Sequence, residues 1–575
     1  MSIIQSLNNQ ITEIFQKLGY DTKYAYFKYS DRPDLSDFQT NCAMPLGKML
    51  NKNPMEIAGT IKNELEKTNI FDYLSVDKPG FINVKLKNNV LLKFINEVIN
   101  DENCGFEVPS VKKTVVIDFG GYNIAKEPHV GHLRSTVIGE SLRRIYEFCG
   151  DKVISDFHQG DWGLNMGMVI EGIRSQYPNS KCFSDNFNDD KITDLNLTAA
   201  DLTDIYRLAN TKAKEDEDFA KKVHETTKKL QDGYKPYLTL WKYFSGISLN
   251  DSKELAEGIL GAHFDYWNGE SSVHELIKFM IRNLVEKGII VDSDGAKIID
   301  LSDMDDTIPP VIIQKSDGAF MYASTDIATI LDRLQKFNPD LILYIVDARQ
   351  SLHFKQVFLA CEKIKLLNEK HKAEHCPFGT MNGKDGKPFK TRSGELVKLR
   401  DLIAEAKQKI VEKSGSLGDD AIQKLAVACI KFADLSNYRE SNYVFDMDQF
   451  TNYEGKTGAY IMYSVVRINS ILKKIDSIEE LKITDLTTNE GKALVLELLK
   501  FPDIVTSSYD KKAPNFIAEY TYNLSKKFNS FYENVNILAS ESTEELNSKI
   551  SLIYVVKHFL EKCLYLLGIE VVDRM

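Results

Sequence analysis

A short apolar run, Val115-Val116-Ile117 and Phe119, is followed by a stretch in which Leu133, Val137, Leu142, Ile145 and Tyr146 recur at helical spacing. The pattern predicts a buried strand that hands over, through a loop, to a helix, the unit from which parallel α/β sheets are built. Strand, loop and helix repeat through residues 112–172, with the second strand at 153–157. They return at 341–367, where the apolar run 341–346 precedes a helix from about Leu352. These two sections read as the halves of a doubly wound parallel sheet, which takes ligand beyond the carboxyl ends of its strands where strand order reverses.

The rest of the chain sorts around that sheet. At 575 residues it is too long for one core, and length suggests about three or four domains. Residues 1–108 mix amphipathic helix patterns (3–18, 55–65) with strand-like pieces such as 81–84 and form a separate α+β module. A catalytic unit at 109–404 carries an insertion at about 175–290, rich in charge and helix formers. Beyond 405 strand signals nearly vanish, and helical patterns at 420–436, 457–475, 490–501, 513–538 and 544–567 predict an α-helical bundle over 405–575.

No apolar run approaches the roughly 18 residues of a membrane span, and the first residues lack a signal-peptide pattern, so a cytoplasmic protein without membrane partners is expected. Eight cysteines lie far apart with no Cys-x-x-Cys pair, which predicts reduced, buried thiols and no protein-bound zinc. The formal charge of −11 argues against broad nucleic-acid affinity. Clustering matters more than the sum, however, and 381–400 is locally basic, with Lys384, Lys387, Lys390, Arg392, Lys398 and Arg400 against Asp385 and Glu395.

His129-Val130-Gly131-His132 falls where the first strand gives way to its helix. Two imidazoles three residues apart share one face, Gly131 lets a flat ring or a phosphate approach the backbone, and free amides at a helix start add positive potential. On its own the pair is equally a helix cap. A zinc site needs further ligands, and the spacing of zinc proteases is absent.

HVGH resembles the HIGH signature of class I aminoacyl-tRNA synthetases, and the longer NIAKEPHVGHLRSTVIGESLRR is similar to that of arginyl-tRNA synthetases. GDWGLNMGM (160–168), SDGAFMYASTDIATI (316–330), YIVDARQSLHFKQVF (344–358), GKDGKPFKTRSGELVKL (383–399) and the final Asp573-Arg574-Met575 resemble that family's blocks in the same order. The resemblance implies a Rossmann-like catalytic domain that forms arginyl-adenylate from ATP and L-arginine and passes the arginyl group to tRNA(Arg). It also implies Mg2+ accompanying ATP, a monomer, and a need for tRNA during activation. A class I synthetase for another amino acid and a non-catalytic RNA-binding paralogue are the alternatives, and Asp326 with Tyr322 discriminates among them.

Residue by residue, the resemblance implies that His129 and His132 hold the phosphates, with Gly131 between them. Lys387 and Lys390 take the place of the KMSKS loop, and Lys126 stands in for missing lysines there. Asp326 takes the guanidinium, beside Tyr322 and Gln350, while Asn123 and His132 hold the α-amino and carboxylate end. Asp347 and His353 fall near the adenosine. The family usually has Ser-Pro-Asn where this chain has Gly121-Tyr122-Asn123, so Tyr122 is expected to crowd or reshape the pocket entrance. Trp162 reads as a core residue and His158 as a loop residue. Residues 1–108 would contact the tRNA elbow. On the helix at 455–474, Tyr460, Met462, Val465 and Ile468 read as buried, and Lys456, Tyr460, Tyr463 and Arg467 are the candidates for touching the anticodon region.

Overall fold

The computed structural model describes residues 2–184, 186–316, 318–387, 389, 397–415, 417–475, 480–540 and 542–575. Five parallel strands form the central sheet, in the order Lys372–His375, Leu341–Tyr344, Thr114–Asp118, Lys152–Gln159 and Tyr266–Gly269. Alternation along each strand sorts side chains between two cores. Val115, Ile117 and Leu343 turn to one, Val116, Ile342 and Tyr344 to the other, because successive residues of a strand face opposite ways. Burial on both faces explains why these strands read as unbroken apolar runs.

From Thr114–Asp118 the chain passes to the helix Val130–Phe148, and from its neighbour Leu341–Tyr344 to the helix Ser351–Lys363. Strand order reverses between these two, so the crevice beyond their carboxyl ends is the ligand-binding position of such a sheet.

One strand lies where the sequence reading put an insertion. Tyr266–Gly269 pairs with Lys152–Gln159 at the sheet edge, inside the span 175–290. Its four residues carry no readable period, and it is anchored by Trp267 stacked on Phe157 at 4.2 Å. The helical excursion itself consists of Ala199–Glu215, Glu217–Gln231 and Lys235–Lys253. A small antiparallel sheet, Ile290–Ser293, Ala296–Ile299 and Val311–Gln314, follows it.

Residues before the catalytic sheet fold as helices Ile3–Leu18 and Pro54–Glu66 with a four-stranded antiparallel sheet. This module rests on the C-terminal helices. The Asn96 side-chain amide donates to the Ile483 carbonyl at 2.8 Å and accepts from the Ile483 N–H at 2.9 Å. Tyr29 donates its hydroxyl to Asp503 at 2.7 Å.

The C-terminal region contains each of the five expected helices, as Asp419–Leu435, Gly458–Leu472, Asn489–Leu498, Asn515–Asn534 and Thr543–Leu566. A further one, Phe501–Lys511, opens with Pro502 in its first turn, where a missing N–H costs nothing. The helix Val130–Phe148 is built into this bundle. Arg134, fully buried, donates Nε to the equally buried Asp434 at 2.8 Å and Nη1 to the Gly379 carbonyl at 2.7 Å. Ser141 donates to the Leu566 carbonyl at 2.8 Å. All eight cysteines are buried and unpaired, and burial pushes the Cys42 thiol up to about 11. Among the described residues no helix is long and apolar enough to cross a membrane.

Candidate active site

The two imidazoles of HVGH form a reciprocal cap on their own helix. His129 Nδ1 accepts from the Gly131 N–H at 3.0 Å, and His132 Nδ1 accepts from the His129 N–H at 3.1 Å. Their rings lie 4.0 Å apart between centroids, tilted by 32°. A ring nitrogen that accepts a backbone N–H carries no proton, so in each neutral ring the hydrogen sits on Nε2. Protonation would place N–H against N–H and break the cap. Burial lowers the His129 pKa, with the Arg349 charge adding to it. Burial first, then His129 and Lys126, lower that of His132 to about 3. Both rings are therefore neutral donors through Nε2–H. Gly131 is required here because a Cβ would stand 2.9 Å from His129 Cε1.

The loop before the helix brings Asn123 across the chain to Gly160, with which it forms an isolated parallel bridge. Its side-chain oxygen occupies the space a Gly160 Cβ would need, 2.5 Å away. Tyr122 does not crowd the entrance. Its side chain is buried, its hydroxyl lies 2.8 Å from Thr136 Oγ1, and its ring stands edge-on to His132. The left-handed backbone at Gly120 and Gly121, φ +84° and +61°, carries the chain through the turn that points it inward.

On the far side of the crevice stands the helix Tyr322–Phe337. Asp326 lies one turn beyond Tyr322, so both share a face. The helix is tied to the sheet by Arg333, whose guanidinium donates to Asp118 at 2.5 Å and Asp156 at 2.7 Å. Those two carboxylates hold Arg333 charged although it is fully buried. Asp326 Oδ2 meets His353 Nε2 at 2.6 Å, so His353 stands against the carboxylate expected to take the guanidinium.

Sequence reasoning passed over Glu270, which follows the edge strand. Burial first, then the charges of Asp161 and Asp326, push its carboxyl up to about 8. Asp161 is satisfied by the N–H and hydroxyl of Ser271 at 2.9 and 2.6 Å. Partial burial of its ring first, then the nearby Glu270, raises the phenol of Tyr322. Asp161 and Asp326 are near enough for their charges to raise Glu270, a cluster of carboxyl groups that suits a cation. Trp162 packs edge-on to Trp241 and His274 at 5.1 and 5.4 Å, as a core residue does, and His158 lies on the strand Lys152–Gln159.

The segment after Leu341–Tyr344 joins the two sides. Asp347 caps the turn Ala348–Gln350 and holds Arg349 through two bonds of 2.8 Å. Arg349, also passed over in the sequence, is near enough to His129 to depress its pKa. His353, four residues on, holds Asp326. Gln350 between them is exposed.

The basic loop is pinned at both ends. Its first leg, Met381–Asn382, pairs with Tyr443–Val444. Its second leg joins the HVGH segment, with the Val130 N–H donating to the Val397 carbonyl at 3.0 Å and the Leu399 N–H to the Pro128 carbonyl at 2.9 Å. Lys398 pairs with Glu127 at 2.6 Å, and Lys384 with Asp446 at 3.1 Å. Lys387 is exposed on the turn Gly383–Gly386 opens. Lys390, Pro388, Arg392 and Glu395 lie outside the described residues. Lys126 places its ammonium 4.8 Å from the Tyr206 ring centre, on the helical excursion.

On the helix Gly458–Leu472, Met462, Val465 and Ile468 are buried and Tyr460 is half-buried against Tyr522. Arg467 is held between the rings of Tyr463 and Tyr532, at 4.7 and 4.5 Å, and donates to Asn529. Lys456 pairs with Glu519.

Three family models match the chain: the arginyl tRNA synthetase N terminal domain at residues 1–86, the catalytic domain of tRNA synthetases class I (R) at 95–447, and the DALR anticodon binding domain at 461–575. Relatives described as arginine–tRNA ligases, from Alkaliphilus oremlandii and Francisella tularensis subsp. holarctica, are each 40% identical over 586 aligned positions, covering 100% of both chains. The solved arginyl-tRNA synthetase of Plasmodium falciparum superimposes with a TM-score of 0.81 at 28% identity, over 100% of this chain and 99% of that one. That of Thermus thermophilus shares the fold, with a TM-score of 0.78 at 20% identity over 100% of each. Matched almost end to end by that family's own domain models and relatives, the chain belongs to the arginyl-tRNA synthetase family.

Proposed function

We propose that the chain is an arginine–tRNA ligase acting in two steps. The arginine carboxylate attacks the α-phosphorus of ATP in line, forming arginyl-adenylate as pyrophosphate leaves. A hydroxyl of the terminal ribose of tRNA(Arg) then attacks the acyl carbon, and AMP departs. Neither step requires a nucleophilic side chain; positioning and charge stabilisation carry the rate.

Roles follow from the chemistry of each group. His129 and His132 donate Nε2–H to the phosphate oxygens, over the bare backbone of Gly131, and Mg2+ arrives with ATP as part of the substrate. Lys126, Lys387 and Lys390 supply further positive charge, and Asp347 borders the nucleoside. Asp326 and Glu270 take the guanidinium, whose fork of donors matches carboxylates and cannot be neutralised. Tyr322 and Gln350 border it, and His353 orients Asp326. Asn123 and His132 hold the other end of arginine. Lys456, Tyr460, Tyr463 and Arg467 face the anticodon region, and the module at 1–108 reaches elsewhere on the tRNA. With every part on one chain, the working unit is a monomer, placed in the cytoplasm.

The observation that supports this reading is that one segment brings His353 onto Asp326 and, four residues earlier, Arg349 near the neutral imidazole of His129. Its test is aminoacylation of total tRNA with each standard amino acid in turn. Arginine alone should be charged; preference for another amino acid, or no charging at all, overturns it.

Glu270 adds a pH signature. Its carboxyl stands at about 8 in the free protein and must ionise to receive a guanidinium. Binding below that value therefore releases a proton, and the KM for arginine falls as pH rises, by at most about ten-fold per unit, levelling off above about 8. In Glu270→Gln the slope should flatten. An unchanged slope removes Glu270 from the guanidinium.

A further inference from the structure

We infer that Tyr122 is a positioning residue for His132, an inference that rests on the phosphate role proposed for that imidazole. Tyr122 follows Gly120 and Gly121, whose left-handed backbone turns its side chain into the core. Its ring is edge-on to His132, 5.1 Å between centroids at 61°, and is itself backed by Phe157 at 5.0 Å and 82°. Edge-to-face packing of this kind fixes ring planes, since the positive edge of one ring meets the negative face of the other.

The hydroxyl grips the same residue by a second route. Thr136 Oγ1 donates its only proton to the His132 carbonyl at 3.0 Å. The 2.8 Å contact between Tyr122 and Thr136 is then donated by the phenol. Tyr122 thus touches the His132 ring directly and the His132 backbone through one intermediary, by a buried hydroxyl contact.

What this secures is the choice of ring face. Flipping the imidazole by half a turn would exchange Nδ1 for carbon at the His129 N–H, losing the cap. It would also turn Nε2–H away from its donating direction. An aliphatic side chain at this position offers no hydroxyl and no aromatic edge, so the constraint would be lost with it.

The test uses the full-length protein with 15N-labelled histidine, read by ring nitrogen shifts, alongside arginine-dependent pyrophosphate exchange in the presence of tRNA. Tyr122→Leu should take the His132 signals away from a single Nε2–H tautomer and lower kcat about 10- to 100-fold, with KM values changed less than about two-fold. Tyr122→Phe keeps the ring and should retain the tautomer and all but about three-fold of kcat. Tyr122→Met, which fills the ring's space without an aromatic edge, should take the His132 signals away from that tautomer if the leucine variant fails to fold. Wild-type His132 signals in Tyr122→Leu or in Tyr122→Met overturn the inference, as does a phenylalanine variant as impaired as the leucine one. Displaced His132 signals with unchanged kcat keep the positioning and overturn the phosphate role of His132.

Discussion

Asp326→Asn lowers kcat/KM for arginine by about three orders of magnitude in pyrophosphate exchange with tRNA present, while the KM for ATP stays within about two-fold. The guanidinium keeps its charge at every working pH, so the loss cannot be recovered by protonation. An asparagine offers one acceptor and turns two donors toward a group made only of donors. Removing one carboxylate from a desolvated ion pair costs about 2–5 kcal/mol, which sets the size of the effect. Glu270 would ionise more readily once the neighbouring charge is gone, since Asp326 contributes to holding it protonated, and this limits the loss. His353 would lose its partner at 2.6 Å, so thermal unfolding of the variant should be measured beside the kinetics. Arginine kinetics like those of the wild type would remove Asp326 from the pocket and reopen the choice of amino acid.

His132→Ala lowers kcat for the same exchange about 100- to 1,000-fold, the range seen when one preorganised donor to a developing charge is deleted. The effect belongs in kcat because phosphate charge redistributes in the transition state. Part of the substitution acts on the protein alone: the His129 N–H loses its cap, worth about 1 kcal/mol. The paired variant lacking both imidazoles should lose less than the product of the two single effects, because each ring caps the turn that presents the other. A single variant with full kcat would show that the rings serve only as caps.

What could be read from the chain, and what could not, divides along physical lines. The strands Thr114–Asp118 and Leu341–Tyr344 were legible as unbroken apolar runs because both their faces are buried, and the bundle helices because burial on one face leaves a helical period. Tyr266–Gly269 was not, since an edge strand of four residues with two aromatics and an asparagine has no period to detect. Glu270 was hidden for the same reason: it follows that strand and belongs to no motif. Arg333, Asp118 and Asp156 are charged residues far apart in sequence that only folding makes into a buried cluster. The spacing of His129 and His132 was plain, but not that both would cap through Nδ1, because that depends on ring orientation. Tyr122 went the opposite way from expectation; an aromatic beside two glycines looks like a surface obstacle, and the left-handed turn buries it.

Inside the terminal bundle, Arg134 grips Asp434 two residues after the second histidine, and Ser141 hooks the last turn of Thr543–Leu566. The turn that carries the two histidines is consequently fastened to the last long helix through side chains of a single helix. A load borne by those terminal helices would reach the imidazoles through buried bonds, with no loop in between.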